Sequence, residues 1–572
     1  MSIIPRITVL KFGSSVLRSE ADLPAAVHEI YRWVRKGHRV VAVVSAIGRS
    51  TDALLARADA FGPGLSDRSV AALLATGEAT SAALLALALD RAGIPSAVLD
   101  EVQLGLQTTG AVLDSEPCAL DVPGILNALQ SASAVAVPGF IGRQSDGTIS
   151  LLGRGGSDLT AAFIAHHLGA QCRLIKDVDG ICEYDPAGAP VPPRRFRTLA
   201  WPDARIIDSP VVQQKAIDFA SQHALRIEVA ALNSARPTTI GPDLPSFYGE
   251  LPAAEPMRVG LLGAGTVGLG VYRTLAAHPE IFHVTGIGVR RTKRDDGTPP
   301  ELLTADPWRV LRSDCQLVVE LIGGVSPAGE LIEAALCSGR HVITANKLVI
   351  ARHGSRLRQI AAENGVELLY SAAVGGGVPM LEQVRRIGRR CRIDTLKGVV
   401  NGTTNFILDQ IAQGISREDA LREAQRLGFA EKDPTTDLDG SDAANKIALL
   451  AQTAFGTWIA PHQVERSGID SVTETDIRYA AQSGRSVRLV ASVTNGERGV
   501  RAQVRPEVID GDHAFARVHN EHNCLEIKTD CGVVQVRGKG AGRWPTTESV
   551  IADILGLYRS GDRAHRGTVA HA

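Results

Sequence analysis

Short apolar runs rich in β-branched residues alternate with longer Ala- and Leu-rich stretches along most of the chain. Four runs precede residue 240: RITVLKFG, RVVAVVSA, SAVAVPGF and CRLIKDVDG. Five more follow residue 256: MRVGLLGAG, FHVTGIGVR, CQLVVELIGG, HVITANK and VELLYSAAV. Apolar strands that alternate with helices are typical of parallel sheets covered on both faces. The pattern therefore predicts two α/β halves.

A proline-rich segment separates these halves. Five prolines lie between Pro237 and Pro256, in PTTIGPDLPSFYGELPAAEP. Prolines at this density interrupt helices and sheets and are typical of a semi-rigid linker. We therefore expect a first domain over residues 1–241, a linker over 242–256 and a second α/β domain from residue 257.

Composition excludes several classes of protein. The chain has 572 residues, 61 Lys and Arg against 62 Asp and Glu, and eight cysteines without a C-x-x-C pair. The balanced charge argues against a nucleic-acid partner, and scattered thiols are typical of a reducing compartment. MSIIPRITVLKFG does not resemble a signal peptide, and no apolar run approaches the about 18 residues that cross a bilayer. We expect a cytoplasmic protein that acts on small molecules.

His513, His519, His522, Cys524 and Cys531 form a candidate zinc cluster by residue type. However, CLEIKTDCGVVQVRG alternates apolar and polar residues about a TDCG turn, which is the pattern of a β-hairpin. We favour sheet positions over metal ligands for these residues.

A glycine-rich turn follows the first strand of the second half. Gly263, Gly265 and Gly268 form G-x-G-x-x-G after RVGLL. This spacing allows a tight turn, a close approach to a pyrophosphate and close helix packing. Thr266 and Val267 would begin the helix whose N–H groups bind the anion.

The next strand ends in Arg290, with Lys293 close behind it. An acidic residue there binds the ribose of NAD, whereas Arg accommodates the 2′-phosphate of NADP. The sequence favours NADP(H) over NAD(H); the alternative is that both are surface charges.

Candidate catalytic groups are dense in GFAEKDPTTDLDGSDAANK, which contains Glu431, Asp437, Asp442 and Lys446. Asp442 and Lys446 are four residues apart and share a helix face. Lys347, in TANK, follows an apolar strand, where open α/β sheets bind ligands. Carboxylates suit an ammonium, and lysines suit a carbonyl that receives a hydride and a proton. A solvated helix N-terminus is the alternative on spacing alone.

GLLGAGTVG, TANK, AAVGGGVP, GVVNGTTNFIL, GFAEKDPTTDLDGSDAANK and GKGAGRWPTTESV together resemble the homoserine dehydrogenase family over about residues 258–559. The resemblance implies a Rossmann domain over 257–390, an α+β catalytic and dimerisation domain over 391–560 that returns to the Rossmann domain near 540–560, and a tail over 561–572. It also implies reduction of aspartate 4-semialdehyde to homoserine with NAD(P)H.

The resemblance assigns roles to individual residues. Lys446 would donate the proton, and Lys347 would lie beside the cofactor and the carbonyl. The other implied site residues are Glu431, Asp437 and Asp442 at the substrate, and Gly428 and Gly542 at the cofactor. The backbone carbonyls of Val374, Gly376 and Val378 would hold Na⁺, but Ser371 stands where the family often has a Glu ligand, which predicts at most a weak site.

The first half carries its own phosphate-binding pattern. VLKFGSSVL places Lys11 at a strand end before Gly13, LLGRGGSDLTAAFIAHHLGA is a glycine-rich turn before a helix, and KDVDG ends another strand. Taken singly, each is also an ordinary strand-to-helix turn. Together with LLATGEATSA and VPGFIG, they resemble the aspartokinase branch of the amino-acid kinase fold, a parallel-sheet sandwich, over about residues 7–241.

That resemblance implies phosphorylation of aspartate by ATP with Mg²⁺. Lys11 would stabilise the transferring phosphoryl group and Asp158 would orient Lys11. The remaining implied residues are Ser14, Ser15, Glu78 and Arg154 for aspartate, and Asp177 and Asp179 beside the nucleotide.

Three departures qualify the kinase interpretation. One glycine of the family's K-F-G-G-[TS]-S is missing, a lysine expected near the phosphates is replaced by Ala235 or a neighbour, and no stretch resembles a regulatory ACT domain. The last predicts an unregulated enzyme. Two alternatives stay open: a dehydrogenase whose kinase module is only an oligomerisation scaffold, or a kinase for another carboxylate or carbamate, since GSSVL resembles glutamate 5-kinase. Both families lead us to expect at least a homodimer.

Overall fold

A computed structural model describes residues 5–186, 193–207, 211–249, 255–292, 296–497 and 499–567, with side chains described to residue 559. The chain divides into two compact units. The N-terminal unit comprises Ile4–Pro252, and the C-terminal unit comprises Ala253–Ala572 together with Met1–Ile3.

The described part of the N-terminal unit contains thirteen strands and seven α-helices. The strands are β1 (Arg6–Phe12), β2 (His38–Val44), β3 (Ser96–Val98), β4 (Gln107–Ala111), β5 (Asp114–Ala119), β6 (Ala134–Pro138), β7 (Ile141–Arg143), β8 (Ile149–Leu151), β9 (Gln171–Ile175), β10 (Phe196–Ala200), β11 (Ile227–Ala230), β12 (Thr238–Gly241) and β13 (Ser246–Phe247). The helices are α1 (Leu23–Arg35), α2 (Ser50–Asp59), α3 (Asp67–Ala92), α4 (Val122–Ser131), α5 (Gly156–His167), α6 (Trp201–Ile206) and α7 (Gln214–Gln222).

The central sheet of this unit has nine strands in the order β13-β10-β12-β11-β9-β1-β2-β6-β3. From β11 to β3 all neighbours are parallel, and Val9 lies between Val41 and Cys172, all three fully buried. The four upstream apolar runs therefore form the centre of the sheet, as the sequence predicts. A second sheet, β5-β4-β7-β8, is absent from that prediction.

Two expectations from the sequence concern membrane-spanning segments and the linker. By length and composition α3 is able to cross a membrane, but half of its most apolar window is buried inside the unit, as in a core helix. The linker expected over 242–256 includes β13, which pairs with β10, and Thr198 bonds Ser246 across that pair (2.6 Å). Residues 250–254 lie outside the described residues.

The described part of the C-terminal unit contains twelve strands and twelve α-helices. The strands are β14 (Met257–Leu262), β15 (Phe282–Gly288), β16 (Leu303–Thr304), β17 (Leu317–Glu320), β18 (His341–Thr344), β19 (Leu368–Leu369), β20 (Ile393–Val399), β21 (Glu465–Arg466), β22 (Arg485–Gly496), β23 (Gly499–Asp510), β24 (His522–Thr529) and β25 (Gly532–Lys539). The helices are α8 (Thr266–Ala276), α9 (Pro307–Arg312), α10 (Ala328–Cys337), α11 (Lys347–Glu363), α12 (Ser371–Gly375), α13 (Met380–Gly388), α14 (Gly402–Ala412), α15 (Arg417–Leu427), α16 (Thr435–Leu438), α17 (Ser441–Phe455), α18 (Glu474–Gln482) and α19 (Arg543–Gly567).

The first sheet of this unit is entirely parallel, in the order β16-β15-β14-β17-β18-β19. The helix α19 returns to it: Val550, Ile551 and Ile554 share one buried core with Val259 and Val271. The helix extends to Gly567, beyond the point where the sequence predicts a tail.

The second sheet, β21-β23-β22-β20-β24-β25, is antiparallel except for the edge pair β21 and β23. Its last two strands form the hairpin predicted around TDCG, with Thr529 opposite Gly532. Cys524 lies fully buried inside this sheet.

Candidate functional site

Lys347, Asp442 and Lys446, which the sequence singles out, meet near the carboxyl end of β18. Lys347 is the first residue of α11, whose N-terminus is capped by Asn346 through a bond from the Val349 N–H (3.2 Å). Asp442 and Lys446 lie one turn apart at the start of α17. We call Lys347, Asp442 and Lys446 the C-terminal cluster.

Both lysines of the C-terminal cluster bind the same buried carboxylate. Lys446 Nζ donates to Asp442 Oδ2 (2.8 Å) and to the Val400 carbonyl (2.6 Å), and Lys347 Nζ donates to Asp442 Oδ1. Burial opposes the ionisation of Asp442, but the charges of Lys446 and Lys347 outweigh it and hold its pKa far below the usual range. The carboxylate therefore orients two proton-bearing ammonium groups.

Polar side chains extend the cluster toward solvent. Asn401 donates to Asp437 Oδ1 (2.7 Å) and Asp442 Oδ2 (2.9 Å), and Thr403 donates to Asp437 Oδ2 (3.0 Å). Burial lowers the pKa of Lys347, but the charges of Asp442, Asp437 and Glu431 together raise it above its usual value. Asn401 and Thr403 belong to the NGTTN motif, but the motif alone did not predict a role for either residue.

The G-x-G-x-x-G turn has the geometry of an anion site. Gly263 has φ +106°, and a Cβ there would lie 2.7 Å from the Leu321 carbonyl; a Cβ on Gly268 would lie 2.1 Å from the Gly263 carbonyl. Gly265 faces open space, and α8 begins at the exposed Thr266, followed by Val267. Free N–H groups at this helix start fit a pyrophosphate.

The other cofactor candidates lie at the surface. Arg290 is exposed two residues after β15, while Lys293 lies outside the described residues. Gly428 ends α15 and Gly542 precedes α19; both are exposed and have positive φ.

Glu320 is a buried carboxylate that the sequence analysis missed, although it ends the predicted strand CQLVVELIGG. It accepts from the N–H groups of Ile322 (2.8 Å) and Gly323 (3.3 Å) and from the Thr344 hydroxyl (2.5 Å). Asn346 in turn donates to the Gly324 carbonyl (2.6 Å). Glu320 therefore joins the turn after β17 to the turn that carries Lys347.

Two groups of the segment proposed for Na⁺ already have hydrogen-bond partners in the protein. The Val378 carbonyl already accepts from the Met380 N–H (2.7 Å), and the Ser371 hydroxyl donates to the buried Asp553 carboxylate (2.9 Å). Ser371 is neutral, so it adds no charged side-chain ligand to the carbonyls of Val374 and Gly376. We derive no chemical step through Na⁺.

A second site lies in the N-terminal unit, around a cavity of about 550 Å³. Lys11, at the end of β1, forms an ion pair with Asp158 Oδ1 (2.8 Å), and Lys176, directly after β9, forms one with Asp158 Oδ2 (2.8 Å). We call Lys11, Asp158 and Lys176 the N-terminal cluster. The cavity brings together most of the residues predicted for this site: Lys11, Ser14, Ser15, Glu78, Arg154 and Asp158.

Burial sets the electrostatics of this cavity. It lowers the pKa of Lys11 against the attraction of Asp158. Burial also opposes the ionisation of Asp158, but the charges of Lys11 and Lys176 prevail and lower its pKa to about 2. Burial raises the pKa of Glu78 to about 7, although a bond from the Ala46 N–H (3.3 Å) and the charge of Lys11 oppose the shift.

Lys176 is the main residue that the sequence analysis missed here. KDVDG was read for its acidic residues, yet neither Asp177 nor Asp179 is among the residues that line the cavity. Asp179 instead pairs with Arg195. Gly13, the single glycine of KFGSS, lies close to Lys11. A Cβ on Gly13 would lie 2.9 Å from Lys11 Nζ, so a side chain there would require Lys11 to shift.

The candidate zinc residues of the C-terminal unit have other neighbours. His513 approaches Glu526 (3.7 Å), His519 bonds Asp409 (2.7 Å) and Cys524 is fully buried. Within the described residues, Cys531 lies with Cys391 and Asp530 instead.

Three protein-family models match three successive segments of the chain. Residues 6–231 match the model of the amino acid kinase family, residues 263–371 that of the homoserine dehydrogenase NAD binding domain, and residues 379–555 that of homoserine dehydrogenase. A nicotinamide dinucleotide is therefore the cofactor class of the C-terminal unit.

Individual relatives, all homoserine dehydrogenases, match about half of the chain. A homoserine dehydrogenase from Synechocystis is 38% identical over 325 residues, which are 54% of this chain and 75% of the relative. One from Corynebacterium glutamicum is 37% identical over 340 residues, covering 56% and 76%. The solved homoserine dehydrogenase from Thiobacillus denitrificans matches with a TM-score of 0.52 at 36% identity, covering 54% and 74%. The chain belongs to the homoserine dehydrogenase family and carries a domain of the amino acid kinase family before it.

Proposed function

We propose that the C-terminal unit reduces aspartate 4-semialdehyde to homoserine. The observation that carries this proposal is the pair of lysines on the Asp442 carboxylate, beside the carboxylates of Asp437 and Glu431. Ammonium groups polarise and protonate a carbonyl oxygen, and the surrounding carboxylates suit the ammonium of an amino-acid substrate.

Each residue of the C-terminal cluster has a separate task in this proposal. Reduced nicotinamide dinucleotide, when bound, supplies the hydride to the carbonyl carbon. Lys446 donates its proton to the carbonyl oxygen as negative charge develops there, and Lys347 holds that oxygen by a charge-assisted bond. Asp442 keeps both lysines in position, and Asp437 and Glu431 bind the substrate ammonium. Gly428 and Gly542, both exposed with positive φ, would lie beside the bound dinucleotide.

We propose NADP(H) as the preferred cofactor, because Arg290 follows β15 where an acidic residue would favour NAD(H). In Arg290→Ala, KM for NADPH should rise about tenfold, the cost of one charge-assisted bond, while KM for NADH stays unchanged. Arg291→Ala, also exposed, is the matched control. Equal changes for both cofactors would contradict the role of Arg290.

We propose that the N-terminal unit phosphorylates aspartate with ATP and Mg²⁺. The carrying observation is the cavity in which Lys11 and Lys176 flank Asp158, with Arg154 and Glu78 on the same lining. An oxygen of the aspartate side-chain carboxylate attacks the γ-phosphorus, and the bond from that phosphorus to the ADP oxygen breaks. Mg²⁺, when bound with ATP, would supply positive charge at the phosphate oxygens beside Lys11 and Lys176.

The chain's residues position both reactants in this step. Lys11 and Lys176 balance the charge on the transferring phosphoryl group, and Lys176 replaces the cation missing near Ala235. Arg154 pairs with the α-carboxylate of aspartate, Glu78 with its ammonium, and Ser14 and Ser15 bind its oxygens. Asp177 and Asp179, which follow Lys176 but do not line the cavity, would lie beside the outer part of the nucleotide.

The decisive experiment traps the acyl phosphate from ATP and aspartate with hydroxylamine, in the whole chain and in Lys11→Ala. Aspartate-dependent hydroxamate that disappears in Lys11→Ala supports two working sites. Homoserine oxidation without hydroxamate would make the N-terminal unit a scaffold, and a larger yield with glutamate would reassign its substrate.

We also propose the division into domains at residues 241, 257, 391 and 560, and a cytoplasmic homo-oligomer with at least two copies. Light scattering of the purified chain measures the number of copies directly, and a monomeric mass would contradict the oligomer.

A further inference from the structure

Two thiols and a carboxylate of the C-terminal unit, none of them part of the C-terminal cluster, lie close together. Cys391 lies between α13 and β20, and Asp530 and Cys531 form the turn between β24 and β25. The two Sγ atoms and one Asp530 carboxylate oxygen all lie within 4.8 Å of one another. Cys391 and Cys531 are half-buried and Asp530 is exposed, so an ion can reach the group.

Backbone bonds fix this group in place. Arg392 N–H donates to Asp530 Oδ1 (3.0 Å), and Asp530 N–H donates to the Arg392 carbonyl (3.1 Å). Cys531 N–H donates to the Thr529 hydroxyl (3.1 Å). One main-chain bond and one bond from a main-chain N–H to the Asp530 carboxylate hold the two segments together, so the three side chains converge without help from a ligand.

The donor atoms select a class of ion. Thiolates favour zinc and other soft or borderline divalent cations over Mg²⁺ and Ca²⁺. With Zn–S bonds of about 2.3 Å, two thiolates on a tetrahedral ion are about 3.8 Å apart, within the spacing here. We propose that Cys391, Cys531 and Asp530 bind one Zn²⁺, with water at the fourth position.

Zinc at this position would tie the β24–β25 hairpin to the start of β20. The opposite end of that hairpin reaches Gly377, whose N–H donates to the Lys539 carbonyl (3.1 Å). The ion would therefore stabilise the hairpin without touching the C-terminal cluster. Its binding is independent of the function proposed above.

Thiol labelling of the whole, reduced, chelator-treated chain tests the site. One equivalent of Zn²⁺ should slow maleimide labelling of Cys391 and Cys531 at least about tenfold, read by peptide mass spectrometry. Labelling of Cys118 and Cys337, which are exposed elsewhere, should not change. Co²⁺ in place of Zn²⁺ should give a thiolate charge-transfer band that Cys391→Ser abolishes.

Matched carboxylate variants identify the third ligand. Asp530→Asn should weaken Zn²⁺ binding at least about tenfold, the loss typical of even an outer-shell partner. Asp394→Asn, which removes the carboxylate that pairs with Arg392 (3.1 Å), should leave the affinity unchanged.

Three outcomes would overturn the proposal. Labelling of the two thiols that Zn²⁺ does not change would exclude the ion, and equal affinity in Asp530→Asn and wild type would exclude the carboxylate. Formation of a Cys391–Cys531 disulfide with hydrogen peroxide, which takes up two electrons and two protons, without Zn²⁺ binding by the reduced chain, would make the pair a redox couple instead.

Discussion

The two units hold an aspartate between two lysines in the same way. Asp158 and Asp442 each lie in the first turn of a helix, directly after a glycine-capped start, and each oxygen of each carboxylate has its own lysine. The origins of the lysines differ. Lys11 and Lys176 come from the neighbouring strands β1 and β9, whereas Lys446 shares α17 with Asp442.

The charges around these clusters are opposite in balance. The cavity of the N-terminal cluster adds Arg154, and its extra carboxyl, Glu78, has a pKa of about 7. The C-terminal cluster adds Asp437 and Glu431, so three carboxylates face two lysines. A cation-rich cavity suits a polyphosphate, and an anion-rich one suits an ammonium-bearing aldehyde.

Lys347 differs from the other three lysines in exposure. The side chains of Lys11 and Lys176 are 8% and 11% exposed, and that of Lys446 is 11% exposed, but Lys347 reaches 39%. A Lys–Asp–Lys arrangement therefore does not define a chemistry. In the proposed reactions, its surroundings decide whether the ammonium groups neutralise phosphate charge or deliver a proton.

The largest expected effect tests proton delivery. Lys446→Met should lower the turnover of aspartate semialdehyde reduction about 10²- to 10⁴-fold, because it removes the general acid, while NADPH binding followed by fluorescence is retained. Lys528→Met, an exposed lysine on β24, is the control. Loss of NADPH binding with normal turnover of the bound fraction would contradict the assignment.

The corresponding change in the other cluster tests phosphate neutralisation. Lys11→Met should lower hydroxamate formation about 10²- to 10³-fold, as removal of one electrostatic contact to a transition state does, and should leave homoserine oxidation unchanged. Lys36→Met, exposed at the end of α1, is the control. A parallel loss of both activities would point to misfolding.

A smaller effect separates the clusters by pH. Because burial raises the pKa of Glu78 to about 7, its carboxyl is neutral below that pH and binds the aspartate ammonium only above it. The kcat/KM for aspartate should rise about tenfold from pH 6 to pH 8, since the ionised fraction changes by that factor. Glu78→Gln should remove this rise; an unchanged profile would assign it to another group.

The smallest effect is expected in the C-terminal unit, whose kinetics should depend little on pH between 6 and 8. The pKa of Asp442 is held far below its usual value and that of Lys347 is raised, so both keep their charges from pH 6 to pH 8. We expect KM for aspartate semialdehyde to change less than about twofold over this range. A tenfold change in steady-state assays would show that the cluster exchanges a proton with solvent there.

Much of the architecture could be predicted because buried parallel strands are continuously apolar. RVVAVVSA and CQLVVELIGG both become interior strands. The sheet β5-β4-β7-β8 was missed, since β4 and β5 contain Gly, Pro and polar residues whose pairing depends on tertiary contacts. The long strands β22 and β23 were also not predicted, because apolar and polar residues are mixed along both.

Some of the site residues that could be predicted have partners close in sequence, whereas those that were missed have distant partners. Motif spacing predicted Asp442 and Lys446 because they are close in sequence, and their bond is local. Lys176, Glu320 and Cys391 act through partners 18, 24 and about 140 residues away. No local pattern marks such contacts, because only the packing of distant strands creates them.

The return of α19 to the first sheet of the C-terminal unit has a consequence for synthesis. Val550, Ile551 and Ile554 complete the core around Val259 and Val271, nearly 300 residues earlier in the chain. A ribosome therefore releases the dinucleotide turn long before the helix that covers its sheet. The N-terminal unit, whose strands all end by Phe247, can close while the rest is still being translated, and the dehydrogenase fold must wait for its last helix.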